Sequence, residues 1–324
     1  MATFEWSEPT SVEEALAELG TKALPKAGGI DLMDRLKERL DAPTRIVNLR
    51  RIRGLAGARS SGPTIEIGPL TTLAHIAEDP LLRSRLPALA EAALRAATPN
   101  VRSAATLGGN LLQRPRCWYF RRDAFLCLRK GGDTCFAQEG RSAYHAVFKN
   151  DVCAVVHPSD TAVALVAYDA RAVVAGRAGN RELLLEDLFV PPQDDVMREH
   201  RLAPDELLVG VRVPIPGERV RSAYMKLGER DSADWPLASA AVVLELADGV
   251  CGRASVVLGA AAAVPWRSRA AEVALVGKRI DAACAEAAAR AAVQGATPLR
   301  ENGYKVQLLE VLARRTLLMA GAAG

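Results

Sequence analysis

Between the turn Thr106-Leu107-Gly108-Gly109-Asn110 and the pair Ser159-Asp160 lie 48 residues, and they hold four of the chain's six cysteines. A polar, glycine-bearing connection of that length inside a domain is either functional or unstructured. Its cysteines decide which. Cys117, Cys127, Cys135 and Cys153 are spaced C-x9-C-x7-C-x17-C, not in the C-x2-C pairs of common zinc modules or bacterial ferredoxins. Thiols packed as small hydrophobes are the plain alternative. These, however, sit among Arg114, Arg116, Arg121, Arg122, Arg129, Lys130, Gly131 and Gly132, a poor setting for ordinary core residues. Four thiolates suit zinc, which would be structural, or a [4Fe–4S] cluster, which would be redox-active. Neighbouring arginines would favour the thiolate form with either metal, and they could equally form a solvated loop face.

The totals narrow the setting. At 324 residues the chain should form two or three compact units. A hydrophobic fraction of 49% and a charged fraction of 25% are those of a globular protein, and a net charge of +4 is too weak to argue for nucleic acid. No apolar run reaches the roughly 18 residues of a membrane span. Met1 to Pro9 lacks the basic and apolar regions of an export signal. The expected location is the cytoplasm, or the periplasm by co-export with a signal-bearing partner. Six cysteines in this setting favour thiols, metal ligation or catalysis over a disulfide framework.

Along the chain, Ser11 to Glu14 reads as a capping box, with Glu14 returning to the Ser11 amide, ahead of a helix from Val12 to Leu19. A strand at Ala23 to Ala27 runs through Gly28-Gly29 into a helix ending near Leu40, and Arg45 to Leu49 is a second strand. Strand, glycine turn, helix is a place where backbone N–H groups can meet phosphate; it is also an ordinary tight connection, and it lacks the G-x-G-x-x-G spacing. Thr64 to Ile67 alternates as a strand, Thr72 to Glu78 and Leu86 to Ala97 are helical, and Ala162 to Tyr168 is a buried element. Ala172 to Ala175 and Glu182 to Leu184 form a hairpin around 176–180. Strands at Ala223 to Leu227, Ala240 to Leu246 and Ala254 to Leu258, the last two joined at Asp248-Gly249, precede helices near Ala270 to Val276, Asp281 to Val293 and Tyr304 to Ala320. That order predicts an α+β unit with its helices on one face. His75, His145, His157 and His200 show no ligand spacing, and His145 and His157 read as structural. Trp118, Tyr119 and Phe120 read as packing around the cysteines.

The ordered set Ala27-Gly28-Gly29-Ile30-Asp31-Leu32, Thr106-Leu107-Gly108-Gly109-Asn110 and Pro158-Ser159-Asp160, with Glu206-Leu207-Leu208 and Tyr224-Met225-Lys226 later, resembles the FAD-binding medium subunit of the xanthine dehydrogenase, or molybdenum hydroxylase, family. The likeness covers nearly the whole chain. Most such subunits join the glycine turn to the Ser-Asp pair directly, and the long cysteine-bearing insertion resembles the [4Fe–4S] subset. That subset includes a periplasmic aldehyde oxidoreductase, to which the run Gln113 to Arg121 is closer, and 4-hydroxybenzoyl-CoA reductase.

The resemblance implies an α+β fold: a two-part FAD-binding domain followed by a smaller α+β domain with a sheet covered by helices. The parts are residues 1–57, carrying the first pyrophosphate loop; 58–219, with the insertion at about 111–156; and 220–324. It implies that Lys26, Ala27, Gly28, Gly29, Ile30, Asp31 and Leu32 form the first pyrophosphate loop. Thr106, Gly108, Gly109 and Asn110 would form the second, facing diphosphate and ribityl groups. Asp160 would accept hydrogen bonds from the flavin or its ribityl chain, Leu208 would pack near the isoalloxazine, and Lys226 would meet its pyrimidine edge. Ile30 stands where the family commonly has threonine, so a phosphate-directed hydroxyl is lost. Cys117, Cys127, Cys135 and Cys153 would bind the [4Fe–4S] cluster.

The function implied is electron transfer in an oxidoreductase complex. Substrate would be oxidised on a large molybdopterin subunit, and electrons would pass through [2Fe–2S] clusters of a small subunit to FAD here and on to an external acceptor such as ferredoxin or O2. The basic loop Arg121 to Lys130 would face an acidic carrier. No catalytic side chain, nucleic acid or membrane span is expected. Two other readings fit the residues: a freestanding FAD oxidoreductase with structural zinc, and a non-catalytic zinc-binding interaction protein.

Overall fold

The first unit is a βαβαβ run: β1 (Glu5–Ser7), α1 (Val12–Glu18), β2 (Ala23–Lys26), α2 (Ile30–Lys37) and β3 (Arg45–Asn48). The structure, a computed structural model, describes residues 3–230 and 234–322. Its first three strands are parallel in the order β1-β3-β2. The Ser11 hydroxyl caps α1 by accepting from the Glu14 N–H at 3.1 Å, but Glu14 returns to the Thr10 N–H at 2.7 Å, one residue before the expected Ser11. At three residues, β1 carries no period of its own and is defined only by pairing with β3.

The second unit is a five-stranded antiparallel sheet under a layer of helices. It runs β4 (Ala58–Ser61), β5 (Thr64–Ile67), α3 (Leu73–Glu78), α4 (Pro80–Arg85), α5 (Pro87–Arg95), α6 (Pro99–Ala104), α7 (Leu107–Leu111), α8 (Asp160–Ala167), β6 (Arg171–Gly176), β7 (Gly179–Leu184), α9 (Leu185–Leu188) and β8 (Leu207–Pro214). The strand order is β4-β5-β8-β6-β7, so the latest strand in sequence lies at the centre. All eight residues of α8 are buried, which explains why the sequence shows an apolar run there and no amphipathic period.

The third unit comprises β9 (Val220–Leu227), β10 (Ala238–Ala247), β11 (Val250–Gly259), β12 (Trp266–Arg267), α10 (Arg269–Leu275), α11 (Ala282–Val293) and α12 (Tyr304–Ala322). Its antiparallel sheet is ordered β12-β11-β10-β9. The unit's own helices cover one face, as expected, and the second unit covers the other. Ala240, Val242 and Leu244 of β10 join Val256 and Leu258 of β11 in a core with Ala285, Leu309 and Leu317 of the last helices. Their alternates Ala241, Val243 and Val257, with Tyr224, pack into the second unit's core with Leu89 of α5 and Val163 of α8. Strand period two sends successive residues to opposite faces, and here both are apolar.

The insertion is almost free of regular structure and is held by its ends, by ion pairs and by a buried lysine. Asn110 Oδ1 accepts from Ser159 Oγ at 2.6 Å and Thr161 Oγ1 at 2.7 Å, so the segments flanking the insertion are tied together. Inside the loop, Tyr119 packs against Phe125 and Phe136, and Trp118 meets the Tyr119, Tyr144 and His145 rings edge-on. Lys305 of α12 is fully buried and donates to the carbonyls of Tyr144, His145 and Ala260 at 3.3, 2.9 and 2.7 Å.

Candidate flavin cavity and cysteine cage

β2 ends at Lys26, and the chain must turn at once to begin α2. It does so at Gly29, with φ of 84°. A Cβ on Gly28 would lie 2.1 Å from the Ala104 carbonyl oxygen, so only glycine lets this turn pass against the end of α6. Among the described residues, the amides of Gly28, Gly29 and Ile30 donate to no protein acceptor. They stand at the N-terminus of α2, whose dipole and orphan N–H groups favour an anion.

The second glycine turn works differently. Its amides are engaged: Leu107 N–H with Thr71 O, Gly108 with Pro69 O, Gly109 with the Thr106 hydroxyl and Asn110 with Thr106 O. Gly108 and Gly109 therefore give shape, and Thr106 caps α7.

Both turns border one cavity of about 850 Å3. Lys26 to Leu32, Thr106, Gly108, Gly109, Asn110, Asp160 and Leu208 all line it. The volume is within the usual range for a large ligand, and the wall joins free amides and cationic side chains to apolar surface. That combination fits a dinucleotide with a pyrophosphate and two flat rings. Ile30 is 37% exposed at the turn and adds no hydrogen bond. Leu208 lies beside a register shift between β6 and β8, a bulge of the kind that re-aims a strand next to a site.

Asp160 and Lys226 are both placed differently from the simplest expectation. Ser159 is the cap of α8, accepting from Ala162 N–H at 3.0 Å, and leaves Asp160 in the first turn. Asp160 accepts from Tyr224 Oη at 2.6 Å and Lys226 Nζ at 2.9 Å. Burial raises its pKa, opposed by Lys226 and Tyr224. Lys226 is absent from the cavity wall: its Nζ also donates to Arg95 O at 3.0 Å, and its side chain is 7% exposed. Any influence of Lys226 on a bound ring passes through Asp160.

Several wall residues were not among the expected flavin contacts: Arg116, Arg198, His200, Glu206 and Trp235. Arg116 stacks over the Trp235 ring at 4.6 Å. Burial lowers the His200 pKa to about 4, keeping the imidazole neutral. Asp31 borders the cavity, and its carboxylate is held by Arg121 at 2.7 Å, Arg116 at 2.9 Å, Arg35 at 3.3 Å and the Arg114 N–H at 3.1 Å. Burial opposes its ionisation, but Arg116, Arg121 and Arg35 outweigh burial and lower its pKa.

This overturns the docking role given to Arg121. Its side chain is 8% exposed and also binds Glu38 at 3.2 Å, and Arg129 is 2% exposed. Lys130 Nζ donates to Arg122 O at 2.6 Å in a solvent-exposed bond. Arg121 and Arg129 therefore grip the protein rather than face a carrier.

Cys117, Cys127, Cys135 and Cys153 line a second, small cavity, and none is in a disulfide. Backbone N–H groups of Tyr119 and Phe120 point at Cys117, those of Ala137 and Ala154 at Cys135, and that of Val155 at Cys153. The Arg129 guanidinium lies 3.3 Å from Cys153 Sγ. Such donors favour thiolate sulfur. Burial pushes the unligated Cys117 thiol up to about 11. His145, read as structural from sequence, touches the cage: its Nε2 is 3.3 Å from Cys117 Sγ, and burial followed by the Lys305 charge lowers its pKa to about 4. Among the described residues, no group of three or more His, Cys, Asp or Glu side chains is arranged to hold a single metal ion. Four thiols thus border one small cavity, with backbone and guanidinium N–H groups directed at sulfur. No described helix is long and apolar enough to cross a membrane.

Residues 2–216 match the family described as the FAD binding domain in molybdopterin dehydrogenase, and residues 222–320 match the CO dehydrogenase flavoprotein C-terminal domain. The chain is 34% identical over 297 residues to the aldehyde oxidoreductase FAD-binding subunit PaoB of Escherichia coli (strain K12), covering 90% of this chain and 88% of the relative. It is 30% identical over 331 residues to the carbon monoxide dehydrogenase medium chain of Afipia carboxidovorans, covering 99% and 97%. Among solved structures, it superposes on carbon monoxide dehydrogenase of Hydrogenophaga pseudoflava lacking the Mo-pyranopterin moiety with a TM-score of 0.78, at 28% identity and covering 98% of this chain and 97% of that one.

Proposed function

The chain belongs to the family of FAD-binding medium subunits of molybdenum hydroxylases, and from that premise we propose that it is the electron-transfer subunit of an aldehyde-oxidising complex with a [4Fe–4S] cluster of its own. The observation that carries the reading is the single cavity walled by both glycine turns. The free amides of Gly28, Gly29 and Ile30, with Lys26, would hold the pyrophosphate. Thr106, Gly108, Gly109 and Asn110 would shape the wall along the ribityl chain. Asp160, fixed by Tyr224 and Lys226, and Leu208 would border the flavin ring. Bound there, FAD supplies the ability to take electrons singly and release them singly or in pairs. The chain's own groups bind, orient and exclude water; none needs to act as a catalytic acid or base.

Cys117, Cys127, Cys135 and Cys153 would hold the cluster, which supplies a one-electron site. Their convergence, the N–H groups directed at sulfur and the buried Arg129 support this. Its partners would be a large molybdopterin subunit and a small [2Fe–2S] subunit, a reading supported by the likeness to a subunit of an aldehyde oxidoreductase and to a medium chain of carbon monoxide dehydrogenase. The likeness to an aldehyde oxidoreductase subunit favours an aldehyde as the complex's substrate. Anaerobic purification is the test: flavin absorption, a broad brown band and about four irons per chain are expected. One zinc in a yellow protein would favour the freestanding flavoprotein, and colourless zinc protein the interaction module. Oxidation of carbon monoxide rather than aldehydes by the assembled complex would refute the substrate assignment.

A further inference from the structure

We propose that Glu199 is a positioning residue that couples the cysteine cage to the first glycine turn, so that loading the cage tightens FAD binding. The inference rests on the reading that the cage takes up iron. An unbroken line of polar contacts joins the two sites. Arg129 Nε lies 3.3 Å from Cys153 Sγ, and its Nη1 donates to Glu199 Oε1 at 3.1 Å. The same Glu199 oxygen accepts from Arg114 Nε and Nη2 at 3.1 and 3.0 Å. The Arg114 N–H donates to Asp31 Oδ2 at 3.1 Å. Asp31 follows directly on Ile30, whose amide, with those of Gly28 and Gly29, is free at the cavity.

The line is buried enough to matter. The Arg129 side chain is 2% exposed, Glu199 16% and Arg114 19%. In such surroundings charge pairs are screened far less than at a surface. Glu199 is also bracketed by cavity residues: Arg198 and His200 line the flavin cavity, while the side chain between them faces the insertion. Moving Glu199 therefore reaches the cavity by two routes, through its chain neighbours and through Arg114 to Asp31.

The direction follows from anchoring. With metal bound, Cys153 Sγ is fixed where Arg129 Nε meets it at 3.3 Å. Arg129 then stays fixed beside Glu199, Glu199 holds Arg114, and the Arg114 amide holds Asp31 and the turn in place. In a stripped cage the sulfur is free to turn away from Arg129, and the later contacts lose an anchor. Coupling of binding sites is reciprocal, so bound FAD should also slow loss of iron.

The experiment is FAD titration by flavin fluorescence on the full chain, iron-loaded and metal-stripped, for wild type and Glu199→Gln. Iron content is measured on each sample, and visible circular dichroism of the bound flavin is recorded. Wild type should bind FAD at least about fivefold more weakly once stripped. Glu199→Gln should bind weakly and equally in both states, and Glu199→Asp should recover part of the difference. Should Glu199→Gln not fold by circular dichroism, Arg114→Met removes the guanidinium that Glu199 holds and should likewise remove the difference. Wild type that takes up iron yet binds FAD equally in both states overturns the coupling alone. Variants that retain the full wild-type ratio overturn the assignment to Glu199. A chain that takes up no iron overturns the cluster reading, and this inference with it.

Discussion

Replacing Lys305 with methionine should loosen the join between the cysteine insertion and the C-terminal helices, by an amount that grows with pH. Lys305 Nζ serves three carbonyls, those of Tyr144, His145 and Ala260. His145 O keeps a second donor, Asn302 Nδ2 at 3.1 Å, so the substitution orphans two carbonyls, Tyr144 O and Ala260 O. At about 1–3 kcal/mol for each buried unsatisfied group, the loss is about 2–6 kcal/mol, reduced by the easier burial of a neutral side chain. Burial lowers the Lys305 pKa from 10.5 to about 7. Between those values the unfolded chain binds more protons than the folded one, so stability rises with pH there. The lysine's contribution is complete above the unfolded pKa and is lost as pH falls through the folded one. The difference between wild type and Lys305→Met should therefore widen with alkalinity, by at most about 1.4 kcal/mol per pH unit. Urea unfolding followed by circular dichroism at about pH 6, 7.5 and 9 measures it. A variant within about 0.5 kcal/mol of wild type would refute the carbonyl argument. A constant gap across pH would show that three carbonyl dipoles outweigh burial and keep the ammonium charged throughout.

Three further outcomes are expected. Gly28→Ala sets a Cβ against the Ala104 backbone; overpacking of about 1–3 kcal/mol should weaken FAD binding tenfold or more, read by flavin fluorescence, with little change in iron. Lys226→Met strands the buried Asp160 carboxylate and should cost about 3–5 kcal/mol in urea unfolding, whereas adding Asp160→Asn should restore much of it. A double variant no more stable than Lys226→Met would show that the pair is not the cause. Arg121→Glu, beside Asp31 and Glu38, should lower the unfolding midpoint; Arg122→Glu, at an exposed position, should not, and only the latter tests docking of an acidic carrier through the salt dependence of its reduction.

What the sequence showed depended on whether a residue's partner was near in the chain. The β6–β7 hairpin, the α8 run and the β10–β11 turn at Asp248-Gly249 are local patterns, and they stand where their periods and turns put them. β8 was visible only as a motif, because a strand central to its sheet is apolar without clean alternation and Gly210 interrupts it. The glycine turns were legible as turns, but the engagement of the second turn's amides by Thr71 and Pro69 was not, since those acceptors lie on a separate segment. Arg121 is the clearest case. In a basic loop it looks like surface; only the fold places Asp31, 90 residues away, against it. Glu199 has no local signal at all.

The sheet of the third unit, apolar on both faces, has a consequence for how the molecule melts. A family boundary falls between residues 216 and 222, so the chain divides there by descent. Tyr224, Ala241, Val243 and Val257 nonetheless complete the core that α5 and α8 begin. Cutting near that boundary would expose this face to water and leave α8, buried on all sides, without one of its walls. The two halves are therefore modules of inheritance but not of cooperativity. Heat or denaturant should unfold residues 58–322 in a single transition, and the flavin cavity, bordered by the first turn of α8, should be lost in that same step.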